Sequence, residues 1–103
     1  MRRRRAIWSS SARSDLQQIH NHISLDNPQA ADDFILDVYR KVRSLADLGI
    51  GGTNHEEFGI GIRSLAYRQR IIFFTMDDDC LFVVRILHGR RDISPDDFSE
   101  SND

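Results

Sequence analysis

The strongest constraint on the fold is a pair of apolar runs near the carboxyl end of the chain. Arg70–Met76 and Cys80–His88 are rich in β-branched and aromatic residues, a composition that favours strands. Only Asp77-Asp78-Asp79 lies between them, and a short polar segment of this kind is typical of a tight turn. The two runs therefore predict an antiparallel hairpin, which needs further elements to cover its apolar surface.

Two amphipathic helices are predicted upstream of this hairpin. The first begins after the serines at 9–11, whose hydroxyls can cap a helix, and ends near residues 24–26. Asn27-Pro28 begins the second helix and Gly49 ends it. Because so few residues separate them, the two helices should form an antiparallel hairpin. The apolar spacing predicts that these positions are buried: Ala12, Leu16, Ile19, Ile23, Ala31, Phe34, Ile35, Val38, Val42, Leu45 and Leu48.

The remaining segments complete an α+β arrangement. Arg2–Trp8 and Ile62–Ala66 are predicted strands, and Tyr67-Arg68-Gln69 is the turn that follows the second of them. Residues 49–61 contain five glycines and are expected to form an irregular, mobile loop. The order is thus an N-terminal strand, a helical hairpin and a three-stranded antiparallel meander (β-α-α-β-β-β), in two layers. The sequence does not say which sheet edge the first strand takes.

The length indicates one domain. We predict that it covers residues 1–93, followed by a short acidic tail at 94–103 that forms a terminal turn and a loose end. The single cysteine, Cys80, excludes an internal disulfide and fits a reducing, cytoplasmic setting. No run is long enough to cross a membrane, and the N-terminal region lacks the order of a secretory signal.

The charge is segregated although the net charge is only -2. Thirteen of the 14 basic residues are arginine, whose planar fork suits phosphate and carboxylate groups. The run Arg2–Arg5 could contact nucleic acid or form a solvated arm. A second basic zone precedes the acidic tail and consists of Arg63, Arg68, Arg70, Arg85, Arg90 and Arg91. This zone predicts either an anionic partner or a solvated sheet face.

His88 is the leading candidate for chemistry because it ends a strand beside arginines. RNA cleavage needs a base, an acid and cations for the phosphorane charge, and a histidine can perform one of the proton transfers. Arg63 and Arg70 could clamp the phosphate. A second proton-transfer group is missing, because only Tyr39 and Tyr67 are available. The alternative is a strand-end histidine bonded to backbone.

Other patterns point to no cofactor or metal. His20 and His22 lie two residues apart on a helix and do not share a face. Cys80 and His88 would be roughly 26 Å apart on one extended strand, which excludes direct contact. The glycines of residues 49–61 are not followed by the Lys-Ser/Thr of a phosphate-binding loop.

Several segments resemble one family in the same order along the chain. Ser11–Ile19 resembles its first helix, and Asn27–Ala31 resembles the entry to its second helix. Ile62–Leu65 and Arg70–Phe74 resemble its middle strands, and Val84–Ile93 resembles its closing motif. On these segments the chain resembles the RelE/ParE superfamily of bacterial type II toxin–antitoxin toxins, nearer the ParE branch.

The resemblance implies an α+β fold and a toxin that a cognate antitoxin neutralises within a hetero-oligomer. ParE-like toxins poison DNA gyrase, whereas RelE-like toxins cut mRNA on the ribosome. The segment after Arg91 has no tyrosine and is acidic, which favours the ParE branch. The expected function is then a non-enzymatic gyrase poison that causes growth arrest and plasmid stabilisation, with Arg85, Arg90 and Arg91 at the target. The alternatives are an mRNA endonuclease that uses His88, Arg63 and Arg70, or a binding-only member with another target.

Overall fold

The computed structural model describes residues 3–49 and 51–99, which form one sheet and a helical hairpin. The strands are β1 (Arg5–Trp8), β2 (Thr53–Asn54), β3 (Arg63–Tyr67), β4 (Arg70–Met76) and β5 (Cys80–His88). The helices are α1 (Ser10–Ser24) and α2 (Pro28–Leu48), and a terminal 3-10 helix covers Pro95–Phe98. The predicted α+β class and element order are confirmed. Arg2, in the first predicted strand, lies outside the described residues.

The sheet has the strand order β1-β5-β4-β3-β2. The meander of β3, β4 and β5 is antiparallel, as predicted. β1 pairs with β5 in parallel, with Ile7 opposite Phe82, so the sheet is mixed. β1 therefore takes the sheet edge beside β5, a position that the sequence left open. The two helices then carry the chain from β1 to the far side of the meander, where β3 lies.

The predicted caps explain where both helices begin. The side chain of Ser9 accepts a hydrogen bond from Ala12 N at 2.9 Å, and that of Asn27 accepts one from Ala30 N at 3.1 Å. Pro28 occupies the first turn of α2. Gly49 has a φ of 73° and ends α2 with its N–H on the carbonyl of Leu45.

The main core lies between the helices and one face of the sheet. Its helix residues belong to the predicted stripes except for Ala46, which was not predicted, and its strand residues are Ile72, Phe74, Leu81, Val83 and Ile86. Two of the predicted positions, Ile23 and Ile35, are half-buried at its margin. The prediction for Leu48 was wrong, since 66% of it is exposed while Ala46 is fully buried. Leu48 lies about 120° around the helix axis from Val42 and so turns away from the sheet.

A smaller core covers part of the opposite face of the sheet. Ile62, Phe73 and Leu87 are buried there under Phe58 and Phe98. The ring centroids of Phe73 and Phe98 are 4.9 Å apart. The predicted terminal turn is therefore present at Pro95–Phe98 and packs on the sheet through Phe98. The predicted loose end at residues 100–103 lies outside the described part.

The glycine-rich loop carries more structure than predicted. β2 pairs with β3 at the edge of the sheet, with Thr53 opposite Ser64. Arg63 donates from Nε to the carbonyl of Gly51 at 3.0 Å and from Nη2 to that of Gly52 at 3.2 Å. Two residues of β2 are too few for an apolar alternation, so the sequence carried no signal for this strand.

Candidate functional site

The end of β5 is fixed by backbone hydrogen bonds to the neighbouring turn. Gly89 N donates to the carbonyl of Gln69 at 2.9 Å, and Arg91 N donates to that of His88 at 3.2 Å. Arg90 N donates to Nδ1 of His88 at 3.1 Å. When the ring is neutral, this bond leaves the proton on Nε2, which faces away from the backbone contact. The backbone bond expected for a strand-end histidine is therefore present.

Arg85 ties three elements together. Its Nε and Nη2 donate to the two carboxylate oxygens of Asp15 at 2.8 and 2.9 Å, and its Nη1 donates to the carbonyl of Asp97 at 2.7 Å. Ile86 N donates to the same carboxylate at 2.9 Å. The hydrogen bond with Asp15 raises the pKa of Arg85. All three nitrogens of this guanidinium are engaged within the molecule.

Arg90 and Arg91 have different surroundings. The guanidinium of Arg91 forms an ion pair with Asp97, whose other oxygen accepts a hydrogen bond from Ser94 N at 3.0 Å. Arg90 is exposed, and no hydrogen bond or ion pair engages its guanidinium in the part of the chain that the structure describes. Of the three arginines predicted at a target, Arg90 is the one whose charge is unengaged by these residues.

The structure brings His88 and Arg70 together but leaves Arg63 apart. Arg70 lies directly opposite His88 in the β4–β5 pairing, whereas Arg63 lies opposite Phe74. Phe74 is four residues from Arg70 along β4, so Arg63 and Arg70 are separated by roughly 13 Å of strand. Arg63 is also held by the glycine loop. The three residues of the nuclease hypothesis do not form a single cluster.

A cleft lies where the helical hairpin leaves the ends of β4 and β5 uncovered. It has a volume of about 770 Å³, and its walls include His22, Phe34, Arg70 and His88. His22 is a residue that sequence reasoning set aside. Its spacing of two residues from His20 excluded only a metal site formed by these two histidines. No sequence signal indicated that the last turn of α1 lies near β5.

A second surface is an apolar groove between α2 and β1. It has a volume of about 700 Å³ and is lined by Trp8, Leu36, Tyr39 and Leu48, with Arg40, Arg43 and Asp47 among its polar residues. Leu36 is 51% exposed and Tyr39 is 47% exposed. We name the groove that is lined by Trp8, Leu36, Tyr39 and Leu48 the α2 groove. The sequence did not predict it, because Leu48 was assigned to the core and Tyr39 was considered only for proton transfer.

Tyr67 anchors a cluster of cations beside α2. Its hydroxyl donates to Asp37 Oδ2 at 2.6 Å and accepts from Arg68 Nε at 3.0 Å. The hydrogen bond from Tyr67 lowers the pKa of Asp37, and the charges of Arg40 and Arg68 lower it further by smaller amounts. Lys41 lies over the Tyr67 ring with its Nζ 5.1 Å from the centroid. The tyrosine is thereby committed to a structural network.

The described ranges contain neither a cluster of metal-ligating side chains nor a membrane-spanning helix. Within residues 3–49 and 51–99, no group of three or more His, Cys, Asp or Glu side chains could hold a metal ion. No helix in these ranges combines the length and the apolar character needed to cross a membrane.

Comparison with known families decides the kind of protein. Residues 6–93 match the model of the ParE toxin of the type II toxin-antitoxin system parDE. The chain belongs to the ParE toxin family. The resemblance stated from the sequence is therefore confirmed, and so is the role of this family in toxin–antitoxin systems.

Solved structures similar to this ParE family member share its fold. A chain from the chromosomal ParDE toxin–antitoxin system of P. aeruginosa is 22% identical, with a TM-score of 0.67, covering 82% of this chain and 95% of its own. A chain from the RelBE2 toxin–antitoxin complex of Mycobacterium tuberculosis is 18% identical, with a TM-score of 0.60, covering 85% and 93%. A comparison with curated protein sequences gives no match.

Proposed function

We propose that this ParE family toxin inhibits DNA gyrase by holding the enzyme in its complex with cleaved DNA, and that a cognate antitoxin prevents this. The observation that carries the proposal is the ParE family match over residues 6–93. Inhibition of gyrase would stop replication in the cytoplasm, arrest growth and favour retention of a plasmid that carries the module.

Arg90 is the side chain best placed for contact with the anionic target. It is exposed and its charge is unengaged by the described residues. Arg91 can join it by exchanging Asp97 for phosphate, since 46% of the Arg91 side chain is exposed. Arg85 is committed to Asp15, so we infer that it positions the strand and leaves the contact to its neighbours.

The test is a gyrase assay with purified toxin and the variant Arg90→Glu. Supercoiling and the amount of cleaved plasmid are scored as the toxin concentration rises, with and without antitoxin. We expect the wild type to accumulate cleaved plasmid, and Arg90→Glu to need about tenfold more protein, because it reverses a charge at the contact.

The matched control is Arg13→Glu, which reverses another exposed arginine that is unengaged by the described residues but lies on α1. Equal loss of potency in both variants would remove the assignment of Arg90. If folded wild-type toxin produced no cleaved plasmid, the gyrase proposal itself would be wrong.

We infer that the antitoxin covers the α2 groove. Three of the six exposed large apolar side chains of the described residues, Leu36, Tyr39 and Leu48, lie together in this groove, and such a cluster marks a partner surface. Arg40 and Arg43 at its margin suit an amphipathic segment with acidic flanks. An antitoxin segment that folds on binding can occupy such a groove and also neutralise nearby arginines.

This inference is tested by Leu48→Glu, which places a charge in the groove. We expect antitoxin affinity to fall roughly thirtyfold, about 2 kcal/mol, as measured by calorimetry. Leu25→Glu is the matched control, because Leu25 is 83% exposed and lies outside the groove. The same loss for both variants, or none for Leu48→Glu, would contradict the inference.

An mRNA endonuclease is the second function to consider. The pairing of Arg70 with His88 favours this function. Arg63 lies too far from Arg70 to complete a phosphate clamp with it. The hydroxyl of Tyr67 is bonded to Asp37 and so does not serve as the second proton-transfer group. His88→Gln should then leave growth arrest unchanged. Loss of transcript cleavage in that variant would revive the nuclease.

A further inference from the structure

Arg70 is unusual among the arginines of the described residues. Four of them, Arg5, Arg13, Arg70 and Arg90, make no hydrogen bond or ion pair through the guanidinium within that part of the chain. Of these four, Arg70 is the one that is half-buried. None of its nitrogens is both buried and unpaired, so the unpaired group reaches the cleft. A charged fork that opens into a cleft and has no partner among the described residues is suited to an anion.

Two histidines lie beside this guanidinium. His88 is the cross-strand partner of Arg70, which places the two Cβ atoms about 5 Å apart on the same face of the sheet. His22 approaches from the last turn of α1. Two adjoining clefts, of about 770 and 210 Å³, meet at His22, Arg70 and His88.

The three side chains supply donors from different directions. The Nδ1 of His88 is occupied by Arg90 N, so Nε2 is left as a donor. The side chain of His22 makes no hydrogen bond or ion pair with the described residues. A planar fork and two separate N–H groups match a tetrahedral phosphate, with its several acceptor oxygens, better than a planar carboxylate.

Other residues that line the larger cleft have the opposite character. Asp26 and Asp33 line it together with the apolar side chains of Ile23 and Phe34. One oxygen of Asp33 accepts from Gln29 Nε2 at 3.0 Å, and the other is available. A ligand that is only anionic would be repelled by these carboxylates, so the ligand must also present hydroxyl or amino donors and an apolar surface.

We propose that this cleft binds a nucleoside monophosphate. Arg70, His22 and His88 hold the phosphate, while Asp26 and Asp33 accept hydrogen bonds from the sugar or base above Phe34. The cleft volume of about 770 Å³ is within the range of small-molecule sites, roughly 300–1,000 Å³. The nucleotide is either free or the phosphorylated end of a strand. The proposal goes beyond gyrase inhibition and does not depend on it.

Calorimetric titration of the full chain tests the proposal, with adenosine 5′-monophosphate, adenosine and inorganic phosphate as probes. We expect the monophosphate to bind more tightly than either part alone. A short oligonucleotide with a 5′-phosphate, compared with its unphosphorylated form, distinguishes a strand end from a free nucleotide. Absence of binding by both the monophosphate and the phosphorylated strand would overturn the proposal, and so would equal binding of inorganic phosphate.

Variants locate the site. Arg70→Ala should weaken the affinity for the probe that binds, the monophosphate or the phosphorylated strand, about 10-fold to 100-fold, because it removes hydrogen bonds to a charged group. Arg13→Ala removes an equal charge outside the cleft and should bind as the wild type does. His22→Ala is a second test, because His22 is exposed and its loss leaves the core intact. Equal affinity of wild type, Arg70→Ala and His22→Ala would place the nucleotide elsewhere and overturn the assignment.

Discussion

At the scale of single residues, arginines of similar appearance in the sequence have different roles. Arg85 and Arg90 belong to the same closing motif, yet the first is bound to Asp15 and the second is exposed. Asp15 lies near the start of α1, and its buried carboxylate joins this helix to β5, 70 positions away. Sequence reasoning could not find this pair, because neither periodicity nor spacing links an acid on one helix to a base on a distant strand.

The pair predicts a large effect of removing one charge. Asp15→Asn leaves Arg85, whose side chain is 19% exposed, without its counter-ion. We expect the free energy of unfolding to fall by about 3 kcal/mol, because breaking a mostly buried ion pair strands the remaining charge. Urea denaturation measures this loss.

Asp47→Asn provides the comparison. Asp47 pairs with Arg43 at 3.0 Å, but that arginine side chain is 45% exposed. Exposed pairs contribute about 0–1 kcal/mol, so this variant should be close to the wild type. Similar losses in the two variants would show that the Asp15 pair has no special role in stability.

At the scale of elements, local signals determined most boundaries. β4 and β5 have the predicted limits, and the predicted caps begin and end α2. The turn between β4 and β5 is built by Asp77, whose Oδ1 accepts from Asp79 N at 2.8 Å and Cys80 N at 2.7 Å. The predicted acidic turn is thus confirmed, with one of its three carboxylates forming these bonds. β2 was missed because its stability comes from Arg63 and β3 and not from its own sequence.

The turn predicts a pH-dependent contribution to stability. The backbone N–H groups of Asp79 and Cys80 lower the pKa of Asp77 below its ordinary value of 3.8. A carboxyl with a lowered pKa in the folded state stabilises the fold above its ordinary pKa and loses this effect as the pH falls through the folded value. Asp77→Ala should therefore be less stable than the wild type at pH 7, and the difference should shrink below pH 3.8.

Urea midpoints at a series of pH values test this prediction. Asp78→Ala is the control, because the neighbouring Asp78 is exposed and makes no hydrogen bond or ion pair with the residues that the structure describes. Its midpoint should match the wild type at each pH. A difference between Asp77→Ala and the wild type that stays constant down to the lowest pH would contradict the linkage.

At the scale of the whole molecule, the sequence predicted the layers but not the surfaces. The apolar stripes of α1, α2, β4 and β5 require one shared core, and this core is present. The α2 groove and the His22–Arg70–His88 cleft are each lined by elements that are far apart in the sequence. Local patterns of residues do not indicate which distant elements will meet. The fold is therefore readable from periodicity, whereas both proposed binding surfaces needed the tertiary arrangement.

The parallel pairing of β1 with β5 also sets the order in which this protein can mature. The strand made first has its partner in the strand made last, and β5 separates β1 from the rest of the sheet. A ribosome that has translated only as far as Asp79 has produced no strand with which β1 can pair. Because long-range pairing of this kind completes late, a partly synthesised toxin has no finished sheet and no Arg90. Inhibition that depends on Arg90 and on the finished sheet, as proposed above, would therefore begin only after β5 and the residues that follow it have been translated.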